Sequence, residues 1–147
     1  MSKQFFTQQE QEQLVESIRL AELNTSGEIR VHIEPKCSTK PEDRAKEVFA
    51  QLGMHSTEKQ NGVLIYLAYE SKVFAIIGDI GIHEKVSNAF WDAERDTMKQ
   101  HFSKAEFLKG LQIVIGDVGT KLKQYFPYQS DDTNELSNEI SFGGEQK

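Results

Sequence analysis

Gly62-Val63-Leu64-Ile65-Tyr66-Leu67-Ala68-Tyr69-Glu70-Ser71-Lys72-Val73-Phe74-Ala75-Ile76-Ile77 is the stretch on which the fold turns. Its opening run is continuously apolar, and its length and bulk predict a strand buried on both faces. Glu70-Ser71-Lys72 is too short for a crossover, so Val73 to Ile77 must return as an antiparallel partner. The expected hairpin is 63–69 with 73–77, at the centre of a sheet.

Upstream, Pro41 suits a first helical turn, Glu42 and Asp43 suit its positive end, and Ala45, Val48, Phe49 and Leu52 recur at helical spacing before a stop at Gly53. Before that helix, Ile29, Val31 and Ile33 alternate with Arg30, His32 and Glu34, the pattern of a half-buried strand ending ahead of Pro35. A strand, a helix and a strand in succession place the two strands parallel, with a right-handed crossover. Thr7 and Glu10 have capping-box spacing and open a helix expected over 8–24, with Leu14, Val15, Ile18 and Ala21 on one face.

Downstream, Gly78-Asp79-Ile80-Gly81 ends the hairpin, and Val86, Phe90, Ala93 and Thr97 predict a helix over 83–100, with Trp91 and Phe90 read as packing residues. Ser103 and Glu106 repeat the capping-box spacing and predict a last helix to about residue 125. Gly110, Gly116 and Gly119 interrupt that helix at some propensity cost, which a close backbone approach would explain. The expected fold class is therefore α/β, a central mixed β-sheet (parallel pair plus β-hairpin) flanked by helices in the order α-β-α-β-β-α-α. One domain spans 1–128, and 129–147 is expected to be a disordered acidic tail, too poor in apolar side chains to offset its ordering entropy.

Hydrophobic residues make up 37% and charged residues 27%, lean for a globular chain but short of a disordered composition. Of the net charge of −6, residues 129–147 carry −4 (five acids, one Lys), leaving the domain at about −2. Its Lys and Arg residues are scattered rather than striped, so nucleic acid is not an expected partner and a cation suits it better. Cys37 is the lone cysteine, so no intrachain disulfide or Cys/His zinc spacing arises, and an ordinary thiol is the expectation. Without a signal-peptide pattern or a spanning apolar run, the chain is expected to be cytoplasmic, with no membrane insertion.

The strand directions decide where chemistry could gather, because the starts of the two parallel strands and the end of the hairpin fall on one edge. Thr25-Ser26-Gly27-Glu28, Asn61-Gly62 and Gly78-Asp79-Ile80-Gly81 converge there, with His83 and Glu84 at the start of the next helix. Asp117 is also a candidate, since the last helix runs back towards this edge. Glu28, Asn61 and Asp79 are the expected metal ligands, and Ser26, Gly27, Gly62, Gly78, Gly81, His83, Glu84 and Asp117 are the further candidates. Carboxylate, amide and carbonyl oxygens suit Ca²⁺ or Mg²⁺ rather than zinc or copper. The plainer alternative is that the Asn-Gly and Gly-Asp pairs only make turns and Glu28 is a solvated strand end.

His32 and His101 are read as structural or surface groups, since no histidine forms a metal pair. Serine-hydrolase, P-loop and dinucleotide readings lack their GxSxG, Walker A and GxGxxG patterns.

Taken in order, Thr25-Ser26-Gly27-Glu28-Ile29-Arg30-Val31, Asn61-Gly62-Val63-Leu64-Ile65, Ile77-Gly78-Asp79-Ile80-Gly81-Ile82-His83-Glu84 and Phe107-Leu108-Lys109-Gly110-Leu111 resemble the TPM-domain family. That family includes a thylakoid-lumen acid phosphatase and photosystem II repair proteins, and this chain resembles a soluble, stand-alone bacterial member. The resemblance covers about residues 8–125. It implies a helix-flanked sheet, divalent-cation binding by the loops at one end, and in some members hydrolysis of phosphate esters. The family's usual acidic residue shortly after the glycine-containing segment is replaced here by Ser87 and Asn88, and the catalytic residues are unassigned. Two function classes follow, a metal-shaped binding module for a protein partner and a metal-dependent phosphatase, with the first preferred because no residue stands out as a nucleophile.

Overall fold

The computed structural model describes residues 5–128 and 140–143. In chain order the elements are α1 (Gln8–Glu22), β1 (Glu28–Glu34), α2 (Pro41–Gln51), a 3₁₀ turn at Met54–Ser56, β2 (Gly62–Ala68), β3 (Val73–Gly78), α3 (Ile80–His83), α4 (Asn88–Ser103), α5 (Phe107–Tyr125) and β4 (Ser141–Phe142). The described strands form one mixed sheet in the order β3-β2-β1-β4. β1 runs parallel to β2 and to β4, and β2 runs antiparallel to β3.

All of β2 is buried, as its apolar run requires, because the sheet is covered on both sides. Ile29, Val31, Ile33, Val63 and Ile65 join α1, α4 and α5 in one core. Leu64, Tyr66, Ala68 and Ala75 pack on the other face beneath Ala45, Val48 and Phe49 of α2. α1 starts at the expected reciprocal cap, in which the Glu10 amide donates to Thr7 Oγ1 at 3.0 Å and the Thr7 amide to Glu10 Oε1 at 2.9 Å. Pro41 opens α2, and Gly53 follows it with φ 70°, a left-handed conformation that glycine adopts at low cost.

β1 departs from the half-buried strand that its alternation predicts. His32 and Glu34 are 5% and 1% exposed, because α2 and β4 close over the polar face. Arg44 Nε and Nη2 each donate to the Glu34 carboxylate at 2.9 Å. The Tyr66 hydroxyl also donates to Glu34, and His32 Nε2 lies 3.1 Å from Oε1. Burial alone would raise the Glu34 pKa, but the bonds from Arg44, His32 and Tyr66 outweigh it and hold the carboxyl below the usual range.

Three further expectations are corrected. The single helix over 83–100 is two: Asp79 caps the four-residue α3, and Ser87 Oγ accepts the Phe90 amide to start α4. The Ser103/Glu106 box does not form. Ser103 ends α4 and donates to the Gln100 carbonyl, while Glu106 lies 2.8 Å from His101 Nδ1 instead. The expected tail disorder fails at 140–143, where Ser141 and Phe142 pair with His32 and Ile33. The rest of that expectation, residues 129–139 and 144–147, lies outside the described residues. Of the α5 glycines, a Cβ on Gly119 would sit 2.8 Å from the Ala21 carbonyl, the expected close approach, whereas Gly116 has nothing within 4 Å.

Candidate functional site

Strand register brings the predicted edge together. Glu28 lies opposite Gly62, its amide donates to the Asn61 carbonyl at 3.4 Å, and the Asp79 amide donates to the Gly62 carbonyl at 2.9 Å. Glu28, Asn61-Gly62 and Asp79 therefore form a row across the ends of β1, β2 and β3, and Gly78 pairs with Val63 beside them. All three side chains are buried, with Glu28 at 2%, Asn61 at 1% and Asp79 at 7% exposure. A solvated strand end or an ordinary turn would leave them in water.

Asn61 and Asp79 each have a local role and an atom left over. Asn61 Nδ2 donates to Ser26 Oγ at 3.3 Å, and Lys59 Nζ is 3.5 Å from the same hydroxyl. Asp79 Oδ1 accepts the Ile80 amide at 2.8 Å as the cap of α3. Asn61 Oδ1 and Asp79 Oδ2 are buried without a hydrogen-bond partner among the described residues. Leaving a buried acceptor unsatisfied costs about 1–3 kcal/mol, so two on one edge point to something that would satisfy them.

Gly81 explains why the β3 end meets the β2 start so closely. A Cβ there would strike the Lys59 carbonyl oxygen and lie 2.5 Å from that of Gln60. Gly27 packs on Leu122 near the end of α5, and His83 and Glu84 are exposed where α3 ends.

Asp117 does not join this row. It lies exposed on α5, about 7.5 Å along the helix axis from Leu122. Its partner is the buried Glu94 of α4, whose pKa is pushed up to about 8, first by burial and then by Asp117.

Two residues that the sequence reading missed complete the edge. Glu22, in the last turn of α1, accepts the Ile29 amide at 2.7 Å. Burial pushes its pKa up to about 8, opposed by the Ile29 amide and reinforced by the charge of Glu28. Its only sequence signal was an acid at the negative end of a helix. His55 stands in the 3₁₀ turn with Nδ1 3.6 Å from Asp79 Oδ1 and its side chain 65% exposed. The turn itself, hidden in a loop by its sequence, puts it there.

Among the described residues no three His, Cys, Asp or Glu side chains gather to hold a metal ion. The side-chain oxygens this edge could offer a cation are Asp79 Oδ2 and Asn61 Oδ1, with the buried Glu28 carboxylate on the neighbouring strand end. Such a set matches the preference of Ca²⁺ or Mg²⁺ for oxygen, and Ca²⁺ tolerates its irregularity better.

A mixed sheet covered by helices on both faces, with buried polar residues gathered at one end of its strands, defines a layered α/β domain. Residues 2–121 match the TPM domain, and the chain belongs to that family. It is similar to the BA42 protein of the psychrophilic bacterium Bizionia argentinensis, solved by NMR, with 47% identity over 95% of this chain and 96% of that one and a TM-score of 0.88. The N-terminal domain of the cg2496 protein of Corynebacterium glutamicum shares the fold at 15% identity, covering 88% and 81% of the two chains with a TM-score of 0.65. No curated protein matches significantly. Among the described residues no helix is long and apolar enough to cross a membrane.

Proposed function

We propose that the edge formed by Glu28, Asn61 and Asp79 binds Ca²⁺ or Mg²⁺ and that the bound ion shapes a surface for a protein partner. The pair of buried acceptors without a hydrogen-bond partner among the described residues, Asn61 Oδ1 and Asp79 Oδ2, carries this reading. An ion would add positive charge beside Asp79 Oδ2 and Asn61 Oδ1, and loop carbonyls and water would complete its shell. The partner surface is supported by a groove of about 420 Å³ along the end of β3, lined by Gly78, Ile80, His83, Trp91, Lys46 and Arg95 among others. Ile80 is 48% exposed beside Asp79, an apolar contact at the lip of the groove. A cytoplasmic location fits the single Cys37 and is tested by fractionation.

Metal-dependent hydrolysis of phosphate esters is the second reading, favoured by the exposed His55 beside Asp79. There the ion would neutralise a phosphoryl oxygen, and His55 could carry a proton to or from a water. Among the described residues none stands out as a nucleophile beside it, so binding ranks first. Thermal unfolding of metal-free protein with added Ca²⁺ or Mg²⁺ should show a saturable rise in Tm, because a ligand of the native state stabilises it by mass action. Asp79→Asn keeps the capping oxygen and should weaken that response. Metal-dependent turnover of an aryl phosphate, lost in folded Asp79→Asn and His55→Ala, would reverse the ranking.

A further inference from the structure

The outer edge of β1, at the opposite end of the strand from the loop edge, already holds an extended segment, and the contacts define what it accepts. Ser141 and Phe142 run parallel to β1 opposite His32 and Ile33, and the Gly143 amide donates to the Ile33 carbonyl at 3.0 Å. Side chains alternate between two environments. Ile140 and Phe142 pack against the core shared with α1. Ser141 Oγ lies 2.9 Å from His32 Nδ1 on the other face. At 143 there is no space for a side chain, since a Cβ would lie 2.7 Å from Glu34 Oε1 and 2.8 Å from His32 Nε2.

We propose that this edge is a peptide-docking site for an extended segment of another protein with the pattern apolar, Ser, aromatic, Gly, and that the chain fills it in cis with Ile140–Gly143. Strand addition gives affinity through main-chain bonds and specificity through alternate side chains, and each element of the pattern has its counterpart here. The apolar positions meet the α1 side, the hydroxyl meets the imidazole, and the glycine lies flat on the buried His32–Glu34 pair. Among the described residues the cis segment pairs with β1 at Ser141 and Phe142 and adds the Gly143 amide bond, a short ladder with which a partner segment would compete. An open groove of about 370 Å³ remains between α1 and the segment, lined by Gln8, Gln11, Val15, Ile140 and Phe142 among others, with room for a larger apolar side chain. The site is independent of the cation edge and stands whether or not metal binds there.

The test uses the full chain carrying Gly143→Val, whose branched side chain cannot fit against Glu34 and His32. In NMR spectra the amide at position 143 should lose exchange protection, and His32 and Ile33 should shift. The unlabelled octapeptide Asn-Glu-Ile-Ser-Phe-Gly-Gly-Glu, the sequence of residues 138–145, should restore the native shifts saturably. With Ala in place of its Phe, or Val in place of its first Gly, it should bind at least tenfold more weakly. The unsubstituted protein should need at least tenfold more peptide, since its own segment competes at a high effective concentration. Phe142→Asp releases the segment without touching His32 or Glu34, and keeps the test open if Gly143→Val unfolds. Retained protection in both variants, or no movement of His32 and Ile33 at millimolar peptide, overturns the proposal. A concentration-dependent dimer of the unsubstituted chain, with segments exchanged, overturns the assignment to a separate partner.

Discussion

Glu34→Gln should destabilise the protein at neutral pH by about 3 kcal/mol. The substitution keeps the shape of the side chain and removes the charge that Arg44, His32 and Tyr66 surround. Breaking a buried ion pair by removing one partner costs about 3–5 kcal/mol, and the lower end applies because the amide oxygen still accepts a bond and the Arg44 side chain is 25% exposed. For a domain of this size, with a urea m-value of about 1.5 kcal/mol/M, the unfolding midpoint should fall by about 2 M. The sign with pH follows from the lowered Glu34 pKa. The unfolded state takes up the proton first as pH falls from its ordinary value of 4.5, so the contribution is complete above that value and is lost as pH falls through the folded one. The gap between the two proteins should be constant from pH 8 to 6 and should narrow below about pH 4.5. A difference under about 0.5 kcal/mol at pH 7, or one that persists unchanged at pH 3, would refute the ion-pair argument.

Glu94 behaves in the opposite sense, since its folded pKa is raised from 4.5 to about 8 and the unfolded state sheds its proton first. Between those values the parent protein should lose stability as pH rises, and Glu94→Gln should be more stable by about 2 kcal/mol at pH 8 with no difference at pH 4; parallel pH profiles in urea unfolding would contradict this. Gly81→Ala should lower stability by about 2–3 kcal/mol, because its Cβ meets the Lys59 and Gln60 carbonyls, while Gly116→Ala, with open space around it, should raise stability by about 0.5–1 kcal/mol. Thermal unfolding reads both, and equal effects would show that the contact at Gly81 is not rigid.

The parts of this fold that were legible in the sequence are those that local physics decides. An apolar run with no polar face had to lie inside the sheet, a three-residue connection had to turn back, and Thr7 with Glu10 needed nothing distant to make a cap. From those strand directions the meeting of Glu28, Asn61 and Asp79 followed without any knowledge of side-chain positions.

What stayed hidden depends on distant partners. The alternation in β1 cannot say that Arg44 and the returning 140–143 segment will cover His32 and Glu34, so a buried polar face reads as a wet one. Ser103 and Glu106 have the right spacing for a cap, but His101, one turn earlier, binds the carboxylate first. Glu22, His55 and the Glu94–Asp117 pair gain their surroundings only when helices and turns pack. The same holds for Asp117, which helix direction alone placed at the wrong level.

The most direct measurement is an NMR titration of metal-free protein with Ca²⁺ and then Mg²⁺, following the backbone amides. Saturable shifts should centre on residues 25–28, 61–62 and 78–84, and Asp79→Asn or Glu28→Gln should weaken them in a protein that stays folded. If millimolar ions leave those amides unmoved, or if the response is confined to Asp131 and Asp132, the edge does not bind a cation, and the buried acceptors of Asn61 and Asp79 are satisfied by water alone.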